Sequence, residues 1–175
     1  MATTYEAIAT VTVGSGGAAN IEFTSIPGTY TDLVVKTSLR NADPTDQRWN
    51  VKITFNGNGS NYSERLLFGG GSSAGSDSRS NQASFLFFYG CMNGNTASTF
   101  SNGEFYIPNY ASANNKSVSF DSVTENNSTT DQILALNAGL WANSAAITSI
   151  KLEVNGGTYN ISQHSTATLY GIKNS

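Results

Sequence analysis

The chain has 175 residues, a formal net charge of −3 and only 12% charged residues, and this length suits one domain, 1–175, that buries a core without a disulfide or a metal ion. The nine Lys and Arg residues are scattered and give no basic footprint for nucleic acid, and the longest apolar run, Phe85–Tyr89, is far too short to cross a bilayer. With Cys91 as the single cysteine, an intramolecular disulfide and a cysteine-built zinc site are both excluded.

Alternation of apolar and polar residues predicts β-strands along most of the chain. The strands predicted in chain order are Tyr5–Val13, Ala19–Ser25, Thr31–Leu39, Trp49–Phe55, Tyr62–Phe68, Ser84–Met92, Glu104–Pro108, Ser117–Asp121, Ser149–Val154 and Thr166–Ile172. Turns rich in Asn and Gly, such as Asn56–Gly59, separate them. This spacing predicts an all-β fold, an antiparallel β-sandwich with a jelly-roll-like arrangement of about 8–11 strands.

Three segments depart from simple alternation. Phe85–Tyr89 is apolar throughout, which predicts a central strand covered on both faces, with an oligomer interface as one source of the second cover. Asp131–Ser144 fits a helix about as well as a strand, and its β-rich surroundings favour the strand. Gly69–Gln82 consists mainly of Gly and Ser, which predicts a flexible loop, either a functional one or the mobile tip of a hairpin.

The residues that could support catalysis are few. His164 is the only histidine and has no nucleophile elbow to serve, so we interpret it as an exposed loop residue. Glu104, Asp121 and Glu125 could converge as the two carboxylates that glycoside hydrolysis requires. Twelve carboxylates spread over one sandwich give such a pair by chance, however, and we predict no catalytic residue and no enzymatic activity.

Metal and cofactor sites are equally weak in the sequence. Asp43 and Asp46 flank Pro44 and could begin a calcium loop, but the EF-hand spacing is absent and Asp-Pro is itself a turn signal. The glycines Gly69–Gly71 lack the Lys-Ser/Thr pair of a phosphate-binding loop. Cys91 follows the longest apolar run and is interpreted as a small core residue. We therefore predict neither a metal nor a cofactor.

Short segments distributed over nearly the whole chain carry a resemblance to a known class of proteins. These segments are Ile8–Gly14, Ile21–Pro27, Tyr30–Leu33, Phe55–Ser63, Tyr106–Tyr110, Asn115–Ser117 and Ser165–Ile172. They resemble small virion proteins of tailed bacteriophages, notably marine and cyanobacterial ones. The resemblance implies an all-β sandwich that assembles as a homo-oligomer on a phage particle, and it implies no particular functional residue.

The resemblance leaves two locations on the virion open. A capsid decoration (cement) protein would sit as a homotrimer over joints of the major capsid protein and stabilise the assembled shell, with Trp49, Trp141 or Tyr110 as aromatic anchors. A tail- or fibre-associated receptor-binding module would instead stack a host glycan on Tyr62, Tyr110 or Trp141. Side chains such as Trp49, Trp141 and Tyr110 are, however, more often core residues than interface residues. Because Met1–Glu6 shows no signal peptide, we expect synthesis in the host cytoplasm, with no nucleic-acid or membrane partner.

Overall fold

The computed structural model describes residues 4–44, 48–127 and 132–173. Within these ranges the chain forms twelve β-strands and no helix. The strands are β1 (Tyr5–Thr12), β2 (Asn20–Phe23), β3 (Asp32–Asn41), β4 (Arg48–Phe55), β5 (Tyr62–Gly70), β6 (Ser73–Gln82), β7 (Phe85–Met92), β8 (Ser101–Ile107), β9 (Lys116–Thr124), β10 (Ile133–Trp141), β11 (Ile150–Val154) and β12 (Thr166–Ile172). The predicted all-β fold is confirmed, with more strands than the roughly eight to eleven that turn spacing indicates.

The strands form two antiparallel sheets that are joined at one corner. The larger sheet has the order β1-β12-β3-β8-β9-β10-β5-β6. The smaller sheet has the order β2-β11-β4-β7. At the corner, the end of β3 pairs in parallel with β7 through Arg40–Cys91 and Asn41–Met92, so the whole network is continuous.

Aromatic side chains fill the space between the two sheets and show that the fold is sandwich-like. Phe55 on β4 contacts Phe105 on β8 with ring centroids 6.0 Å apart. Phe85 on β7 contacts Phe120 on β9 at 5.6 Å. All four rings are buried, and they belong to one continuous apolar cluster that draws on both sheets.

Strand β7 is the edge of the smaller sheet, and side chains of the larger sheet bond its backbone. Both carboxylate oxygens of Glu64 accept from Leu86 N, at 3.0 and 3.1 Å. Ser122 Oγ accepts from Tyr89 N at 3.1 Å, and Cys91 N donates to Ser101 Oγ at 3.2 Å. An exposed strand edge can pair with the edge of another molecule. Here the side chains of the larger sheet bond the edge strand β7 and protect it from such pairing.

The apolar run Phe85–Tyr89 is a strand, as predicted, but it is not fully covered on both faces. Phe85 and Phe88 are buried, whereas Leu86 and Tyr89 are only half-buried. A register shift in the β4–β7 pairing, between Val51 and Ile53, accompanies this irregular pattern. Because of this bulge, the side chains of β7 do not alternate strictly between the two faces of the sheet. The second face of the apolar run is therefore only partly buried, and it needs less covering structure than the sequence implies.

The segment Gly69–Gln82 is not an irregular loop, so that prediction is wrong, whereas the alternative of a hairpin at this place is confirmed. The segment supplies the end of β5 and all of β6, which pair in register from Glu64–Arg79 to Gly70–Ser73. Gly71, at φ 58°, adopts the left-handed conformation that the tight turn requires. Most β6 side chains are exposed, so the strand depends on its backbone hydrogen bonds. A composition rich in Ser and Gly does not prevent such bonds.

The ambiguous segment Asp131–Ser144 contains a strand, and the preference for β over helix is confirmed. Strand β10 buries every second residue, from Ile133 to Trp141. This period of two places its remaining side chains on the face that points away from the core. Asp131 lies outside the described residues.

Candidate functional site

The single histidine and the single cysteine occupy the positions that the sequence predicts. His164 is exposed in the turn before β12, with φ 71°. Cys91 is buried at the sheet junction, and burial raises the pKa of its thiol. Both residues therefore fit structural roles.

The carboxylates considered for catalysis are only partly brought together. Glu104 on β8 and Asp121 on β9 are directly opposite each other, and Lys36 on β3 contacts Glu104 with Nζ and Oε2 3.0 Å apart. Glu125 lies beyond the end of β9, where its Oε1 accepts from Asn127 N. The resulting row of Lys36, Glu104 and Asp121 lies on the outer face of the larger sheet.

Burial and a neighbouring carboxylate disfavour the ionised form of Asp121. Burial and the neighbouring Glu104 raise the pKa of Asp121, while Lys36 acts in the opposite direction. A raised folded-state pKa means that the ionised carboxylate destabilises the native state above that pKa, and that the penalty is absent below the unfolded-state pKa.

We expect Asp121→Asn to raise the melting temperature at pH 7, because the variant removes the unfavourable charge. The gain should disappear near pH 3, where Asp121 is itself mostly protonated. Thermal unfolding of both proteins at the two pH values measures this, with the exposed Glu125→Gln as the control. An equal gain in melting temperature at both pH values would contradict the conclusion that ionised Asp121 destabilises the native state.

The suggested calcium loop is only partly described. Asp43 N donates to Asn41 Oδ1 at 3.2 Å, and Asp43 O accepts from Asn93 N at 2.8 Å, as expected of a turn. Asp46 lies outside the described residues. Across residues 4–44, 48–127 and 132–173, no three His, Cys, Asp or Glu side chains form a group that could hold a metal ion.

Two buried cations bind loop backbone instead of facing a pocket. Arg40 donates to the carbonyl oxygens of Asn93, Asn95, Thr96 and Thr99. Lys116 donates to the carbonyl oxygens of Ser112 and Asn114. Burial lowers the pKa of both side chains, and these contacts indicate that they order loops.

The aromatic residues that the sequence offered for contacts with a partner or a sugar are in the core. Tyr62, Tyr110 and Trp141 are almost completely buried. The core position that the sequence favoured for Tyr110 and Trp141 is therefore confirmed, and none of the three rings is exposed to a partner or a sugar. Tyr62 contacts Phe85 with ring centroids 4.9 Å apart, and its hydroxyl accepts from Phe55 N at 2.8 Å. The side chain of Trp49 lies outside the described part of the structure.

The outer face of the larger sheet carries a group of exposed leucines, which we call the leucine patch: Leu67, Leu134 and Leu136. Their side chains are 61%, 59% and 59% exposed. Leu67 on β5 is directly opposite Leu136 on β10. The sequence contained one signal of this patch, because β10 begins Ile-Leu-Ala-Leu and is therefore apolar on both faces.

A second feature is a groove beside Tyr159, which we call the Tyr159 groove, with a volume of about 510 Å³. Its lining includes residues of the turn 155–160 after β11, the end of β6 and the connection from β6 to β7. The charged side chains of the lining are Lys52, Arg79 and Glu153. Tyr159 is 39% exposed, and sequence reasoning missed it because its turn carries no strand pattern.

The charges of the groove are paired within the protein. Lys52 Nζ is 2.6 Å from Glu153 Oε1 and Lys151 Nζ is 3.0 Å from Glu153 Oε2. Burial favours the neutral acid, but the two lysines outweigh it and lower the pKa of Glu153. Arg79, which also lines the groove, has its Nη1 atom 3.2 Å from Glu64 Oε1.

No helix in the described ranges is long and apolar enough to cross a membrane. Comparisons with protein-family models, with curated proteins and with solved structures found no match for this chain.

Proposed function

We propose that this protein is a non-enzymatic structural component of a phage virion, most directly a capsid decoration (cement) protein that binds the assembled shell. The resemblance to small virion proteins of tailed bacteriophages supplies the setting. The observation that carries the proposal within the molecule is the leucine patch, an apolar surface on a regular sheet.

The exposure of the leucine patch gives a partner a source of binding energy. Single exposed apolar side chains are ordinary, but Leu67 and Leu136 are cross-strand neighbours and Leu134 adjoins them. Contiguous exposed apolar surface commonly marks an interaction site. Covering the exposed parts of three leucines would contribute on the order of 3–5 kcal/mol.

Charged side chains on both sides of the leucine patch would orient the partner. Asp121 is directly opposite Leu136 on β9, and exposed Arg65 lies two residues before Leu67 on β5. A polar rim around an apolar centre is the usual organisation of a protein interface. Charges of opposite sign at its two sides favour one docking orientation over the others.

The partners in this proposal are the major capsid protein and further copies of the chain. A homotrimer over capsid joints is favoured by the resemblance, and binding to the assembled shell alone would stabilise that shell by mass action. The second candidate is a tail- or fibre-associated module that binds a host glycan. The observation that favours this alternative is the exposed ring of Tyr159 in its groove.

We expect the double variant Leu67→Thr/Leu136→Thr to bind shells that lack the protein about 30- to 100-fold more weakly than the wild type, because it loses most of the apolar contact. Threonine retains a preference for strands, so the fold should survive. Co-sedimentation with the shells measures the affinity.

Tyr5→Thr is the matched control, because Tyr5 is also exposed on a strand of the larger sheet, at its other end. This variant should bind like the wild type. Undiminished binding by the folded double variant would refute a role for the leucine patch.

A further inference from the structure

We infer that the Tyr159 groove binds a short, uncharged oligosaccharide. This inference goes beyond the proposed shell-binding role and stands on the residues of the groove. The groove and the leucine patch share no residue, so one protein could use both.

Tyr159 provides the surface on which a sugar ring could pack. A tyrosine combines an apolar ring with a polar hydroxyl, and this suits a pyranose, which has an apolar C–H face and a rim of hydroxyl groups. Tyr159 is one of only two aromatic side chains among the large exposed hydrophobic residues of the described ranges. The other, Tyr5, packs edge-on against Tyr170.

Two amide side chains of the groove have hydrogen-bonding capacity to spare. Asn20 on β2 and Asn155 after β11 are exposed, and their side chains make no hydrogen bond to any other residue that the structure describes. An amide offers both two donors and an acceptor. Sugar hydroxyl groups also donate and accept, so this pair matches them better than it matches a purely anionic group.

The ion pairs of the groove favour an uncharged ligand. Among the lining residues, Lys52 is paired with Glu153 and Arg79 is paired with the buried Glu64. A phosphate, a sulfate or an acidic sugar would have to compete with these carboxylates for the same cations. A neutral sugar can add hydrogen bonds to the groove without breaking either pair.

The turn that carries Tyr159 is held in place by hydrogen bonds within the protein, without a ligand. Gly157 N donates to Val154 O at 3.2 Å, and Gly156 and Gly157 have positive φ angles of 93° and 65°, which define the turn. Asn160 Nδ2 donates to Gly16 O at 3.3 Å and anchors the far end. A preformed site loses less entropy on binding, and the volume of about 510 Å³ lies within the range of small-ligand sites.

The test uses the full chain on an array of neutral and acidic oligosaccharides of bacterial origin, followed by calorimetric titration of the best neutral sugar. We expect saturable binding of neutral sugars and an affinity at least tenfold lower for Tyr159→Ala. Asn20→Ala should lose part of the affinity, and Tyr5→Ala, the matched control, should lose none. Because Tyr159, Asn20 and Tyr5 are all exposed, the three variants should melt near the wild-type temperature.

Three results would overturn the inference: no neutral sugar binds at millimolar concentration, acidic sugars bind better than neutral ones, or Tyr159→Ala binds as well as the wild type. Shell binding of Tyr159→Ala is measured in the same series and should equal that of the wild type. A failure of the sugar site is thereby distinguished from a failure of the proposed structural role.

Discussion

Replacing Phe85 with alanine is expected to lower the free energy of unfolding by about 3–5 kcal/mol, the range for removing a large buried aromatic side chain. Phe85 is completely buried. Its ring contacts the rings of Phe55, Tyr62, Phe105 and Phe120, with centroids between 4.9 and 5.8 Å apart. It thereby joins β7 of the smaller sheet to three strands of the larger one, and its removal would leave a cavity between the sheets.

Urea unfolding followed by tryptophan fluorescence measures this loss, because buried Trp141 contacts Phe55 in the same cluster with ring centroids 5.5 Å apart. Phe85→Leu is the control and should lose about 1 kcal/mol, since it keeps most of the apolar volume. Equal losses for the two variants would mean that Phe85 is not the packing centre described here.

Replacing Glu64 with alanine is expected to lower the free energy of unfolding by about 2–4 kcal/mol, because the partly buried backbone donor of Leu86 and the guanidinium of Arg79 each lose a charged acceptor. Glu64 is 1% exposed. Its carboxylate accepts from Leu86 N at the edge of the smaller sheet and contacts Arg79 of β6. One side chain thus connects the edge strand β7, its own strand β5 and the hairpin partner β6.

Glu64→Gln keeps a carbonyl acceptor in the same place and should recover about half of the loss, since the charge of the Arg79 pair is still missing. Hydrogen exchange of the Leu86 amide provides a local measurement beside global unfolding. The amide should exchange much faster in Glu64→Ala than in the wild type. Unchanged protection would show that the carboxylate does not hold this edge.

The strand pattern could be predicted from the sequence because burial on one face of a strand leaves a period of two. Strand β11 illustrates this, since Ile150, Leu152 and Val154 are buried and the residues between them are half-buried. Strand β6 could not be predicted, because its small polar residues show no alternation of apolar and polar side chains and say nothing about backbone pairing with β5. Pairing depends on the register of two chain segments, and local composition does not encode it.

The candidate surfaces were predicted less well than the fold. An aromatic residue in a β-rich sequence can be buried between sheets or exposed, and Tyr62 and Trp141 prove to be buried because the smaller sheet covers them. Tyr159 and the leucine patch become visible only when both sheets are placed. The facing pair Glu104 and Asp121 was predictable as neighbours, but its position on an open sheet face was not.

Immunogold electron microscopy of tailed-phage particles, purified from the source in which the chain is expressed, tests the proposed virion role most directly. An antibody against the purified protein should place gold evenly over the heads, as expected of a cement protein bound at many equivalent capsid joints. Gold confined to the tails, or particles without gold, would contradict the cement role.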